Sequence, residues 1–112
     1  MPSNKNGQNW IWLPTRLAIY LRDGLRCVWC SRAGSPLGYG LTLDHVGRSN
    51  RPRDLVTACV SCNSSGRDRP LTPEQRAHVR GYRYRTLDRS AGRALLERRR
   101  AARLEQERLS VG

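Results

Sequence analysis

Two Cys-x-x-Cys pairs, Cys27-Val-Trp-Cys30 and Cys59-Val-Ser-Cys62, constrain this 112-residue chain more than any other feature. A C-x₂-C turn aims two sulfurs at one point, and two such turns complete a tetrahedral thiolate cage for Zn²⁺. Disulfides or free thiols are the alternatives, and zinc is the stronger reading. A four-sulfur site leaves no open coordination position, so this ion is expected to support folding and not catalysis. The chain needs such support. It is 38% hydrophobic and has no Phe, and small domains with thin cores usually require a staple.

The compartment agrees with this reading. No apolar run is long enough to cross a membrane, and the polar residues 1–9 contain no apolar signal core. The chain is therefore expected in the cytoplasm or another reducing space, where paired cysteines bind metal more often than they form disulfides.

Charge points to the partner. Basic residues number 21 against 9 acidic ones, the net charge is +12, and among the basic residues only Lys5 is a lysine. Arginine is planar, always charged and bidentate toward phosphate. Such a chain reads as a polyanion binder, with nucleic acid favoured. On charge alone a ribosomal-type structural protein, or a merely soluble basic one, stays open.

The pattern divides into a polar segment over 1–12, expected to be disordered, a zinc-stapled domain over 13–81, and an Arg-rich helical extension over 82–112. Pro14 and the spacing of Leu17, Tyr20 and Leu21 predict a helix to about Arg22, stopped near Gly24. The Gly/Pro/Ser-rich residues 31–40 read as a loop. Leu41–Val46 reads as a strand, and Leu55–Ala58 as a second one. A short helix is expected from Cys59 or Val60 to Ser65, ended by Gly66. Thr72-Pro73-Glu74-Gln75 is a capping box that starts a helix to about Arg80, which Gly81 breaks. A last helix over Ser90–Leu109 has only a weak apolar stripe (Leu95, Leu96, Ala102, Leu104), little reason to order without a partner or DNA. The fold class is small α+β.

The gap between the cysteine pairs exceeds the ~15–20 residues of common zinc ribbons. It holds Asp44-His45 at the end of the first predicted strand. Neighbours on a strand face opposite ways, so these two share a site only where the strand ends and bends, which Gly47 permits. Asn63 follows Cys62 directly, so a zinc cage would fix its position.

With these residues in view, positions 27–74 resemble the HNH endonuclease family in its four-cysteine, Asn-ending form. The matching runs are C-V-W-C, L-T-L-D-H-V, D-L-V-T-A-C-V-S-C-N and G-R-D-R-P-L-T-P-E. The lead-in R-L-A-I-Y-L-R-D-G-L-R-C also resembles small, often phage-encoded members. The pattern is similar, too, to that of phage recombination endonucleases acting on branched DNA. The resemblance implies a ββα-metal finger that cuts double-stranded or branched DNA, as a monomer or weak dimer. It implies that His45 is the general base, imidazole having an ordinary pKa of ~6.5. Asp44 and Asn63 would hold one Mg²⁺, Mn²⁺ or similar hard ion through oxygen. Products would carry 5′-phosphate and 3′-hydroxyl ends. The family usually has Asn where this chain has Asp54. Either Asp54 braces the histidine loop as an acceptor, or Asn50 takes that role. Where the family often has Lys-Gly after the final Asn, this chain offers Arg67 or Arg69 for the phosphate. Arg48, Arg51 and Arg53 flank the loop and are the candidates for holding the DNA backbone.

Other residues have plainer readings. His78 is expected on a solvated helix face. Trp29 is expected to cover the zinc site, and Trp10 and Trp12 to pack the core. Tyr82 and Tyr84 alternate with Arg83 and Arg85, either gripping nucleic acid or linking helices. Arg98-Arg99-Arg100 reads as a general phosphate-seeking face. Two rivals to a nuclease remain: a non-catalytic zinc-stabilised DNA-binding module, and a packaging-accessory protein docking through its C-terminal helix.

Overall fold

A computed structural model describes residues 11–64, 70–81 and 87–111. Of the N-terminal segment 1–12 expected to be disordered, only Ile11 and Trp12 are described; residues 1–10, Trp10 among them, Arg67, Arg69 and the Tyr82–Arg85 run lie outside the described residues. Among those described, the elements are α1 (Leu13–Arg22), β1 (Leu41–His45), a 3₁₀ turn (Pro52–Asp54), β2 (Leu55–Cys59), α2 (Val60–Ser64), α3 (Pro73–Gly81) and α4 (Arg89–Val111). The fold is small α+β, and no helix among the described residues is long and apolar enough to cross a membrane.

Helix α1 starts with proline in its first turn, where the missing N–H costs nothing. It ends in a Schellman motif. Gly24, at φ 77°, takes the left-handed position. Its N–H bonds Leu21 O at 3.1 Å, and the Leu25 N–H bonds Tyr20 O at 2.8 Å. Helix α1 buries Leu17, Ala18, Ile19 and Tyr20, successive residues that point around most of its circumference, because both α4 and β2 pack on it.

Strands β1 and β2 pair antiparallel, with Leu41 opposite Cys59, Leu43 opposite Thr57 and His45 opposite Leu55. All five residues of β2 are buried because both sheet faces are covered. Leu43 and Leu55 pack into the core with α1, while Ala58 packs against Cys27 and Trp29 on the other side. Thr57 is buried but satisfied, its hydroxyl donating to Ile19 O at 3.3 Å. The Val28 N–H bonds Thr57 O at 2.9 Å, which fastens the first cysteine turn to β2.

A buried ion pair joins these parts. Arg22 and Asp23 have side chains 1% and 0% exposed and lie 2.8 Å apart. The guanidinium also donates to Pro52 O and Leu55 O, and the carboxylate accepts the Thr57 N–H at 2.9 Å. The C-terminus of α1 is thereby locked to the start of β2.

Helix α4 departs from expectation. Its first half packs on α1, with Leu95 fully buried, while residues 101–110 are exposed. The apolar stripe understates this contact because the closest approach is made by glycine: a Cβ on Gly92 would overlap the Pro14 carbonyl oxygen. Gly92, Leu95 and Arg99 fall on one face at helical spacing, and Arg99 Nε donates to Leu37 O at 2.7 Å. Asp88 caps the helix, accepting the Ala91 N–H at 3.0 Å. Trp12 is a correction. It is 56% exposed, with the Arg93 guanidinium 5.2 Å from its ring, because Ile11 takes the inward position.

Candidate metal centre and candidate active site

The two cysteine turns meet. The Sγ atoms of Cys27, Cys30, Cys59 and Cys62 all lie within 4.8 Å of one another, with Cys30 and Cys59 3.8 Å apart. A tetrahedral ion with Zn–S bonds of about 2.3 Å spaces its sulfurs about 3.8 Å apart, so the cluster can hold a metal such as zinc. Backbone donors already point at the sulfurs: the Trp29 N–H at Cys27 and the Cys62 N–H at Cys59, both at 3.4 Å. Such donors favour thiolate. Burial pushes the Cys27 thiol up, but the N–H groups of Cys59, Cys30 and Trp29 outweigh it, and the net direction is down. The Cys62 N–H leads in bringing Cys59 down to about 7. Cys62, hydrogen-bonded by the Cys59 side chain and desolvated, is pushed up to about 12. Two members of the cluster, Cys27 and Cys59, thus give up their protons more easily than an ordinary thiol, while Cys62 holds its own more tightly.

On the neighbouring sheet face stand Thr42 and Asp44, two residues apart on β1 and so on one side. Asn63, on α2, reaches them: its Nδ2 donates to Leu43 O at 3.1 Å and to Thr42 Oγ1 at 3.4 Å. Both donations come from the nitrogen, so Oδ1 is the end left for other chemistry. Asp44 Oδ2 accepts the Trp29 indole N–H at 3.0 Å. Asp44 and Asn63 are therefore gathered on one face, between β1 and the cysteine centre. Trp29 packs against the cysteines, and it also touches Asp44, which the sequence did not suggest.

His45 is the last residue of β1 and is exposed. As the last rung of the ladder, opposite Leu55, it points to the other side from Asp44, so His45 is not gathered onto the Asp44–Asn63 face and shares a site with it only at the strand's end. It is held from the loop, with Nε2 2.8 Å from Asn50 Oδ1. Both alternatives for bracing this loop are realised. Asn50 engages the imidazole, and Asp54 accepts from the Ser49 N–H at 3.1 Å and from the Ser49 hydroxyl. Gly47 leaves room for this: a Cβ there would overlap the Asp54 carboxylate. The Val46 N–H bonds Asp54 O at 2.8 Å, closing the loop at its base.

Arg48, Arg51 and Arg53 are exposed around this loop. Arg53 and Asp54 also line a small open cavity of about 40 Å³ with Val46, Leu71, Arg76 and Val79, which adds Arg76 of α3 to the cationic rim. The capping box of α3 forms between Thr72 and Gln75, and Gln75 Nε2 also donates to Val28 O at 3.0 Å. His78 is not simply solvated. Its side chain is 42% exposed, yet Nε2 lies 3.1 Å from Oδ1 of the fully buried Asp23 carboxylate.

No protein-family model, curated protein or solved structure matches the chain.

Proposed function

We propose that the protein is a metal-dependent DNA endonuclease of the HNH type, acting in the cytoplasm on double-stranded or branched DNA. The order β1, β2, α2 is that of a ββα-metal finger, with the cysteine cluster as its structural zinc site. The observation that carries the reading is the Asn63 amide, hydrogen-bonded to Leu43 O and Thr42 on the sheet face that bears Asp44.

The chemistry follows from donor types. An amide oxygen only accepts, so His45 Nε2 carries its hydrogen toward Asn50 Oδ1. Nδ1 is then the lone-pair nitrogen that takes a proton from water. The water oxygen attacks phosphorus as the bond to the 3′ oxygen breaks, and that oxygen takes a proton from solvent water, leaving 5′-phosphate and 3′-hydroxyl ends. Asp44 and Asn63 offer oxygen donors suited to Mg²⁺ or Mn²⁺, which when bound would offset charge on the phosphate and the departing oxygen. Arg48, Arg51 and Arg53 hold the backbone around the scissile phosphate. Arg67 and Arg69 would add phosphate contacts beyond the loop.

The test is cleavage of supercoiled plasmid with Mg²⁺ or Mn²⁺ against EDTA, comparing wild type with His45→Ala. Loss of the general base should slow cutting about 10²–10⁴-fold, with zinc content unchanged. If neither protein cuts linear, supercoiled or branched DNA yet both bind it, a zinc-stabilised DNA-binding module replaces the enzyme.

A further inference from the structure

We infer that Trp29 is a positioning residue that couples the cysteine centre to the Asp44 carboxylate, so that ion binding at Asp44 depends on an intact cysteine cage. The inference rests on the nuclease reading above and adds a control element to that site.

Three contacts of one residue carry it. Trp29 lies inside the first cysteine turn, and its backbone N–H points at Cys27 Sγ. It packs against the cluster formed by Cys27, Ala58 and Cys59. Its Nε1 donates to Asp44 Oδ2 at 3.0 Å. Ala58 is the ladder partner of Thr42, and Thr42 shares a strand face with Asp44. Indole, Ala58 floor and carboxylate therefore lie on one side of the sheet.

Indole N–H is a donor only, and the carboxylate oxygen accepts it. It engages Oδ2 alone and leaves Oδ1 for a hard cation. An aspartate near a strand end has rotamers to choose from, and a fixed donor selects one. Groups behind a metal ligand work in this way, orienting the ligand before the ion arrives. A ring that merely covered the sulfurs would need no N–H, and phenylalanine would serve as well. The backbone that aims the indole is the same backbone that aims Cys27 and Cys30. Any change that opens the cage moves the donor on which Asp44 rests.

The experiment uses the full zinc-loaded chain and Mn²⁺ as the probe. Calorimetry gives Mn²⁺ affinity for wild type, Trp29→Phe and Asp44→Asn, with zinc content and melting temperature as folding controls. Trp29→Phe should weaken Mn²⁺ binding by about tenfold or more while zinc stays bound. In ¹H–¹⁵N spectra of chains with an intact knuckle, the Trp29 indole resonance should shift in Asp44→Asn and should broaden early on Mn²⁺ addition to wild type. These spectra decide the matter even where Trp29→Phe folds poorly. If Trp29→Phe holds Mn²⁺ as tightly as wild type while Asp44→Asn does not, the coupling is overturned and the nuclease reading stands. An indole resonance indifferent to Asp44→Asn overturns the coupling likewise. If wild type binds no Mn²⁺, the coupling and the one-ion mechanism fall together.

Discussion

Gly92 of α4 lies so close to Pro14 of α1 that a Cβ would overlap the Pro14 carbonyl oxygen and sit 3.0 Å from the Ala18 nitrogen. Both obstacles are backbone, so neither yields by turning a side chain. Alanine is favoured over glycine in a helix interior by ~1 kcal/mol, but overpacking a close contact costs about 1–3 kcal/mol, so the clash wins. Gly92→Ala should therefore lower the melting temperature. Zinc content should not change, because α4 packs in the α1 core cluster and the cysteines form a separate one. A raised melting temperature would show that the helices do not cross at Gly92.

Asp23 is expected to be among the most costly single positions. Its side chain is 0% exposed and serves Arg22, the Thr57 N–H and His78 together. Asp23→Ala would strand the equally buried Arg22 guanidinium, and removing one partner of a buried pair costs about 3–5 kcal/mol. His78→Ala should cost at most about 1 kcal/mol, since the imidazole end is open to water and screened. Urea denaturation of the two variants compares them directly. Equal losses would mean that the ion pair is not the lock between α1 and β2.

Much of this fold was legible because its signals are local. The capping box at Thr72, the stop at Gly24 and the two strands each depend on a few adjacent residues, and each appears within a residue or two of where it was expected. The α1–α4 contact was not legible, because its key residue is a glycine and apolar periodicity does not register a missing side chain. In the site, the cysteine cluster could be read from spacing, and the Asn50 and Asp54 roles were narrowed to a choice that proved to be both. The Trp29–Asp44 and Asp23–His78 contacts span 15 and 55 residues. Side-chain pairs at such separations leave no local or periodic trace.

Metal removal should unfold the domain. Structural zinc contributes ~10–16 kcal/mol in small zinc modules, comparable with or larger than the ~5–15 kcal/mol that holds a whole domain together. Cys30→Ser is the cleanest probe, because Cys30 is the exposed member of the four and its replacement leaves no cavity in the core. The variant should lose most of its zinc and its cooperative melt, as should wild type treated with a strong chelator. Wild type that carries no zinc and still melts cooperatively would make the cluster four free thiols.

Asn50 is the residue whose replacement should separate positioning from binding in the proposed reaction. Its Oδ1 lies 2.8 Å from His45 Nε2, and it stands in an exposed loop, so Asn50→Ala should fold and bind DNA in EDTA as wild type does. Cutting should nevertheless fall about tenfold to a hundredfold, the cost of letting a reacting group drift from its working geometry. Asn50→Asp retains an acceptor but adds a negative charge beside the imidazole. That charge favours imidazolium, so the neutral base appears only at higher pH. The acid limb of the cleavage profile should move toward alkaline pH in Asn50→Asp, and the rate at high pH should recover toward wild type. Cleavage rates across pH for the three proteins, with DNA binding measured alongside, check both parts. An Asn50→Ala enzyme that cuts as fast as wild type would mean that Asn50 does not position His45 for catalysis.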